Sequence, residues 1–336
     1  MVENFLSVAQ IYATGKENLK KKGKEWSYPG GGFGPPVLAN RKYLDSLFFE
    51  TKFFDPVDVD TSFSIFGRNL NTPVFCTAIS RAPYMEETSI GEIAQGIAKA
   101  GSLILLGIGG SNELQSAIDA GAPVVKIIKP YRKTDLIYEK LHEAETRGCV
   151  AVGMDIDHFY GLQRVSGEVL RTELFAPQST ELIQQVISQS RLPFIIKGVL
   201  SLADAEKALQ LGASAILVSN HGSGSQLFSL PSLIALPRIV EKFGDKLTIL
   251  VDTGFETGND ALKGLALGAR GVGFGSSMVL AWAADGPSGV ETLVNLLTAE
   301  LRRTMAVTGC PNLAAISRST IVSLPNHPCE TPEGGN

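Results

Sequence analysis

The stretch LPFIIKGVLSLADAEKALQLGASAILVSNHG, residues 192–222, reads as strand, helix, strand. PFIIKG (193–198) is a short apolar run with β-branched residues. SLADAEKALQLG carries its apolar residues at helical spacing. AILVSN (215–220) is a second apolar run. Two continuous apolar strands joined by a helix lie parallel in a sheet covered on both faces. The Gly-Ala pair before the second strand marks a helix end leading into a strand. It recurs in AGAPVVK and LGARGVG.

The same unit repeats outward in both directions from residue 73. Its other runs are PVFCTAIS (73–80), SLILLG (102–107), PVVKIIK (123–129), CVAVGMD (149–155), LTILVD (247–252) and GVGFGS (271–276). Eight units within roughly 200 residues predict an α/β fold, a closed (β/α)8 TIM barrel with an N-terminal extension. An open doubly wound sheet would show G-x-G-x-x-G after its first strand, and none is present. Three segments follow. Residues 1–72 precede the barrel, with a loop at YPGGGFGPP (28–36) and a hairpin within DVDTSFSIFGRNLNTP (58–73). Residues 73–310 form the barrel, and 311–336 form a C-terminal tail whose end, TPEGGN, is expected to be disordered. The connection 156–178 is far longer than the usual ~2–6 residues and reads as a lid.

The bulk numbers exclude several classes. The chain has 336 residues, 44% hydrophobic and 19% charged, with 35 Gly, which is the composition of a tightly turned globular protein. A net charge of −4 gives nucleic-acid binding no electrostatic support, and the short basic run at 20–24 reads as a solvated face. No apolar window reaches ~18 residues, so no membrane span is expected. The N-terminus lacks a secretory leader pattern, and a cytoplasmic location is expected. The four cysteines show no C-x-x-C spacing; Cys76 and Cys149 lie in strand runs and read as reduced core residues. No His/Cys cluster has zinc-like spacing, so no metal is expected, and GSGS near residue 222 does not form a serine elbow.

Barrel enzymes place their active sites at the C-terminal strand ends. Asp155, Lys197, Ser219, Asn220, His221, Asp252, Gly254, Gly275 and Ser276 fall there. His221 and Asp155 come from the sixth and fourth strands and are expected to meet as a base and its carboxylate. Lys197, between them, offers a cation to developing negative charge. Glycine and serine at strands seven and eight leave backbone N–H groups free to hold a phosphate. His158, in the long connection, is a further candidate.

These residues resemble a family, the FMN-dependent α-hydroxy-acid oxidases and dehydrogenases typified by glycolate and lactate oxidases. The likeness covers about residues 40–310. The family pattern K-G, S-N-H-G-G-R-Q, V-D-G-G-x-R-x-G and G-x-G-R is similar to KG (197–198), SNHGSGSQ (219–226), VDTGFETG (251–258) and GFGS (273–276). IYATGKEN (11–18) resembles the family's Y-Y-A-S-G-A-E-D. The resemblance implies FMN as cofactor, His221 as the proton-abstracting base and Asp155 as its partner. It implies Lys197 at the N1/C2 edge of the flavin and Ser219, Thr77 and Ala78 beside the ring system. Asp252, Gly254, Gly275 and Ser276 would line the ribityl and phosphate end, and a homo-oligomer is expected.

The departures concern both ends of the site. N-H-G-G-R-Q becomes N-H-G-S-G-S-Q, so the substrate-gripping arginine is absent and Ser225 and Gln226 take its neighbourhood. Arg164 comes several residues late for the second one. The family's tyrosines fall on Ile128 and on Ile11, with Tyr12 adjacent, and its strand-three glutamine on Lys126, which reads as a replacement charge near substrate or flavin. The two phosphate-binding arginines fall on Glu256 and Ser276. The expected activity is an FMN-dependent oxidoreductase taking a hydride from an alcohol, amine or activated C–H small-molecule substrate. That substrate is not expected to be a standard small α-hydroxy acid, and specialised metabolism suits it. The alternative is a non-redox isomerase, lyase or cyclase using His221 and Asp155 with the flavin lost or static.

Overall fold

The structure is a computed structural model. It describes residues 5–23, 34–81, 85–159, 162–163, 169–170, 174–223 and 226–323. Eight parallel strands close a barrel: β1 Val74–Ile79, β2 Ile104–Leu106, β3 Val124–Ile128, β4 Ala151–Asp155, β5 Phe194–Val199, β6 Ala215–Val218, β7 Thr248–Asp252 and β8 Gly271–Phe274. They are the eight runs read from the sequence. Each strand pairs with its chain neighbours, and β8 closes on β1 through Val272–Val74.

The strands are apolar throughout because both faces are buried. Phe75, Leu103, Leu105, Val125, Ile127, Ile195, Leu217 and Leu250 fill the interior. Their neighbours Val124, Ile128, Val152 and Ile196 face the helices. Successive strand side chains point to opposite faces, so one residue decides which core a side chain joins. A hairpin, Phe63–Ile65 with Arg68–Leu70, sends Phe63, Ile65 and Leu70 into the interior cluster and closes the N-terminal mouth. Its turn, Phe66-Gly67, has φ of 49° and 70°, the left-handed pair that suits a two-residue hairpin.

Ten helices are described: α1 Val8–Lys21, α2 Pro35–Ser46, α3 Ser89–Ala100, α4 Ser111–Asp119, α5 Thr134–Thr146, α6 Thr180–Gln189, α7 Leu202–Gln210, α8 Ser232–Phe243, α9 Gly258–Ala266 and α10 Ser276–Val307, the last turned at Asp285-Gly286. α1 lies directly on α10. A Cβ at Gly15 would stand 2.1 Å from the Leu280 carbonyl oxygen, so glycine permits that approach. The contact carries Tyr12 to the top of the barrel. After residue 310 the chain makes two short 3-10 turns, and Ile321–Ser323 pairs antiparallel with Leu47–Phe49. Residues 324–336, with the TPEGGN end, lie outside the described residues, as does much of 28–36. The 156–178 connection contains a two-stranded ladder, Leu162–Gln163 with Val169–Leu170. Cys76, Cys149 and Cys310 are free and buried.

Candidate active site

Asp155 ends β4 directly beside Lys197 of β5, its partner in strand register. Lys197 Nζ lies 2.9 Å from Asp155 Oδ1. Lys129, the residue after β3, pairs with the other oxygen, Oδ2. Asp155 is fully buried, and Lys129 and Lys197 are nearly so. Lys129 Nζ also lies 3.0 Å from Nδ1 of the buried His158.

His221 follows β6 on a strained turn. His221, Gly222 and Ser223 have φ of 54°, 59° and 65°, three successive left-handed residues, two of them not glycine. Such strain persists where the surroundings over-determine the backbone, as at a site. The Ser219 hydroxyl accepts from the His221 N–H at 3.1 Å, and Ser223 N–H bonds the Asn220 carbonyl at 2.8 Å. His221 Nδ1 then lies 3.3 Å from both oxygens of Asp157, 3.2 Å from Lys197 Nζ and 3.7 Å from Asp155 Oδ1. The carboxylate that holds the imidazole most closely is therefore Asp157, which the sequence pattern passes over. His221 also meets Asp155, as expected, but at 3.7 Å and with each Asp155 oxygen facing a lysine. The Lys-Gly pair carries the one signal for Asp157. Gly198 has φ of 95°, and a Cβ there would stand 2.5 Å from Asp157 Cγ. Only glycine lets Asp157 sit beside His221.

Electrostatics follow from burial and pairing. Burial alone would raise Asp155, but Lys129, Lys197 and His221 hold its carboxyl well below the usual range. Burial opposes the ionised form of Asp157 too, but His221 and Lys197 bring it down to about 2. Burial works against the Lys197 ammonium, yet Asp155, Asp157 and Asp252 outweigh it and hold it above its ordinary value. Burial pushes Lys129 down while Asp155 pulls it back. Burial, then His221 and Lys129, push His158 down to about 2, so its ring is neutral. One ligand atom each of Asp155, His158 and His221 falls within 4.8 Å of the others, a spacing a metal ion can use. The two ammonium groups on Asp155 compete for that place.

The shift of His158 has a measurable consequence. An unfolded histidine binds a proton near pH 6.5, whereas the folded one stays neutral to about 2. Between those values the unfolded state holds the extra proton. Stability should therefore fall as pH drops below about 6.5, by about 1.4 kcal/mol per pH unit for one proton. Urea midpoints between pH 7 and 4.5 read this slope. His158→Phe should flatten it, and an unchanged slope in that variant refutes the assignment.

His221, Lys197 and the strand ends surround a cleft at the C-terminal mouth of the barrel. Thr77, Ala78, Asp252, Thr253, Gly254, Phe255, Gly273, Gly275 and Ser276 complete its lining. Thr77 Oγ1 donates to Asp252 Oδ2 at 2.6 Å, which fixes the carboxylate against the wall. Ser219 is buried beneath His221. Lys126 is not in this cleft. It shares strand register with Leu106, so it faces the helices, and its ammonium donates to the Gly107 carbonyl at 2.5 Å near Glu113 of α4. Burial, then Lys140, push it down to about 8. This corrects its expected place at the substrate; Lys129, of opposite parity, points inward instead. Gln226 is exposed, and its Oε1 accepts from the Phe228 N–H at 3.4 Å rather than entering the cleft. Ser225 and Arg164 lie outside the described residues. Ile11 is buried in the core, while the Tyr12 hydroxyl donates to the Glu256 carbonyl at 2.8 Å.

A barrel mouth that joins a strained histidine, a carboxylate and a buried lysine beside a glycine-lined cleft has the layout of a flavoenzyme. The chain belongs to the FMN-dependent dehydrogenase family, whose model matches residues 17–179 and 164–323. It is an FMN-dependent oxidoreductase acting on a small molecule. It is 47% identical to an L-lactate dehydrogenase from Azorhizobium caulinodans over 134 residues, which is 40% of this chain and 35% of that one. Against 4-hydroxymandelate oxidase from Amycolatopsis orientalis it is 27% identical over 94% of this chain and 97% of the other. A crystal structure of mandelate oxidase with (S)-2-phenylpropionate superposes with a TM-score of 0.85 at 27% identity, covering 96% of this chain and 99% of that one. A mandelate oxidase variant solved with a monooxide FMN adduct matches with a TM-score of 0.79 at 28% identity, over 88% and 93% of the two chains. No helix among the described residues is long and apolar enough to cross a membrane.

The cleft fits FMN. A Cβ at Gly273 would stand 2.8 Å from Thr77 Cβ and 3.0 Å from Asp252 Cβ, so the floor stays open only with glycine. Asn220, fully buried and one residue from His221, has both amide atoms without a partner among the described residues. Lys197 is the one cation lining the cleft among the described residues. At the far end the α10 N-terminus, Gly275 and Ser276 offer neutral donors to a phosphate.

Proposed function

We propose that this protein is an FMN-dependent oxidase or dehydrogenase whose base is His221, and that its substrate is not a standard small α-hydroxy acid. The observation that carries the reading is the contact of His221 Nδ1 with both Asp157 oxygens at 3.3 Å, on the wall of the glycine-lined cleft. Bound FMN would supply the two-electron acceptor. Lys197, Thr77 and Ala78 on the cleft wall would hold its ring system, with Ser219 buried behind them. Asp252, Gly254, Gly275 and Ser276 would hold the ribityl and phosphate end. Lys197, 3.2 Å from the same Nδ1, turns its protons to Asp155 at 2.9 Å, so Nδ1–H is given to Asp157, which only accepts at neutral pH, and Nε2 is left free to take a substrate proton. Its negative charge stabilises the imidazolium that forms. Asp155 acts one step back, keeping Lys129 and Lys197 in place.

The substrate side of the reading rests on charge. Among the described residues no arginine lines the cleft, and Arg132 donates to the Phe175 carbonyl at 3.2 Å. The bidentate grip that arginine gives a carboxylate has no equivalent in serine or glutamine. The test is anaerobic mixing of the FMN-loaded protein with a panel of alcohols and amines. Bleaching of the oxidised flavin bands by a member other than glycolate or lactate is expected. Reduction by glycolate or lactate alone contradicts the substrate reading, and bleaching by none contradicts the activity.

A further inference from the structure

The turn after β7 is held from outside by side chains of α2 and α8. Thr253, a β-branched residue, has φ of 79°, and Gly254 has φ of 92°. A left-handed β-branched residue is rare and persists only where its surroundings hold it. Three successive carbonyls of this turn each accept from a side chain. The Ser232 hydroxyl, at the start of α8, donates to the Asp252 carbonyl at 2.8 Å. The Asn40 amide of α2 donates to the Thr253 carbonyl at 3.4 Å. The Arg41 guanidinium, next on α2, donates to the Gly254 carbonyl at 3.2 Å. Asn40 is fully buried, and its amide also donates to Ser232 Oγ at 3.0 Å. A Cβ at Gly254 would stand 2.9 Å from Asn40 Cβ, so α2 lies directly against the turn.

A peptide C=O and the N–H that follows it point in opposite directions across the trans bond. Pinning the Thr253 and Gly254 carbonyls to α2 therefore turns the N–H groups of Gly254 and Phe255 away from α2. Both residues line the cleft, and neither N–H has a hydrogen-bond partner among the described residues. The next two N–H groups, of Glu256 and Thr257, go to Asp260 Oδ2 at 3.0 and 3.1 Å. The turn thus offers two consecutive amide donors to the cleft, which Gly275 and Ser276 at the start of α10 also line.

The Arg41 charge is not offered to the cleft. Its five N–H groups make five hydrogen bonds, two to Asp45, two to Asp260 and one to the Gly254 carbonyl. No N–H is left for a ligand. Arg41 acts on the cleft only through the turn that it holds.

We propose that Asn40 and Arg41 are positioning residues for the cofactor phosphate, which aim the Gly254 and Phe255 amides at it without touching it. This rests on the reading of the β7 and β8 ends as the phosphate end of the cleft. Two fixed amides stand in for the side-chain cations that Glu256 and Ser276 do not supply. Donors fixed before the ligand arrives need no ordering when it binds.

The test is titration of the flavin-free full chain with FMN and with riboflavin, which lacks only the phosphate, followed by flavin fluorescence. The wild type should hold FMN at least about tenfold more tightly than riboflavin. In Asn40→Ala and in Arg41→Lys the FMN Kd should rise about tenfold, while the riboflavin Kd moves by less than about twofold. Lysine keeps a cation for Asp260 but lacks the planar fork that also reaches the Gly254 carbonyl. Arg41→Lys therefore gives a reading even if Asn40→Ala fails to fold. A preference for FMN that stays at its wild-type value in Arg41→Lys overturns the proposal, because a residue that only supports the fold weakens both flavins alike. A wild type without the preference overturns the reading of the phosphate end as well. Binding is measured without turnover. If the preference behaves as expected and no substrate bleaches the flavin, the oxidation reading falls and the positioning by Asn40 and Arg41 stands.

Discussion

His221→Ala should still bind FMN, with an unaltered flavin spectrum, and yet reduce it about 10³-fold more slowly than the wild type. Positioned acid–base groups contribute about 10²–10⁴-fold, and His221 has the geometry to contribute near the middle of that range. Its ring is fixed on both sides, by Asp157 at 3.3 Å and by the His158 ring at 4.6 Å. Its backbone is held left-handed with φ of 54°. The neighbouring carboxylates cannot take over. Asp157 is held down to about 2 and Asp155 lies well below its usual range, so neither accepts a proton readily at neutral pH. Stopped-flow reduction of the variant under anaerobic conditions measures this. Full turnover in His221→Ala would mean that another group is the base.

Lys197→Met should have the second largest effect, on stability and on flavin retention together. Methionine nearly matches the lysine stem in length, so the change removes charge with little loss of volume. It leaves Asp155 with Lys129 alone and takes one cation from Asp157. Breaking one partner out of a buried ionic cluster costs about 3–5 kcal/mol, which is about 4–7 °C in melting temperature for a chain of this size. The cleft also loses its one lining cation among the described residues, so FMN should wash out of the variant more readily. Thermal melts and flavin occupancy after gel filtration check both parts. A variant with wild-type melting and full occupancy would show that Lys197 is neither the counter-ion of Asp155 nor a flavin contact.

The barrel was legible because its evidence is periodic. All eight apolar runs are barrel strands, since parallel strands buried on both faces must be apolar along their whole length. The strand-end rule then finds His221, Lys197, Asp252, Gly254 and Gly275, which line one cleft, and the resemblance adds Thr77. The rule misses Asp157, which stands two residues past the end of β4 in an irregular connection. Its place depends on the left-handed Gly198 across the strand pair, a tertiary fact. The resemblance, which sets the family's strand-three glutamine on Lys126, points to the wrong lysine. VVKIIK carries lysine at 126 and 129, of opposite parity, and the apolar pattern around them is the same on both faces. Which one points inward is set by the register of β3 against β2, where Lys126 pairs with the outward Leu106. A one-residue slip in such a run moves every side chain to the other face. Gln226 follows from the motif N-H-G-S-G-S-Q, and a match along the chain does not place its side chain in the cleft.

The most direct test of the account is an anaerobic single turnover of the wild type in which flavin and product are followed together. The panel member that bleaches the flavin fastest serves as substrate, with and without deuterium on the carbon being oxidised. The expected result is one equivalent of the oxidised product for each flavin bleached, with bleaching slowed several-fold by deuterium. A product that accumulates while the flavin stays oxidised would contradict it, and would mean that His221 and Asp157 serve a reaction that moves protons without moving electrons.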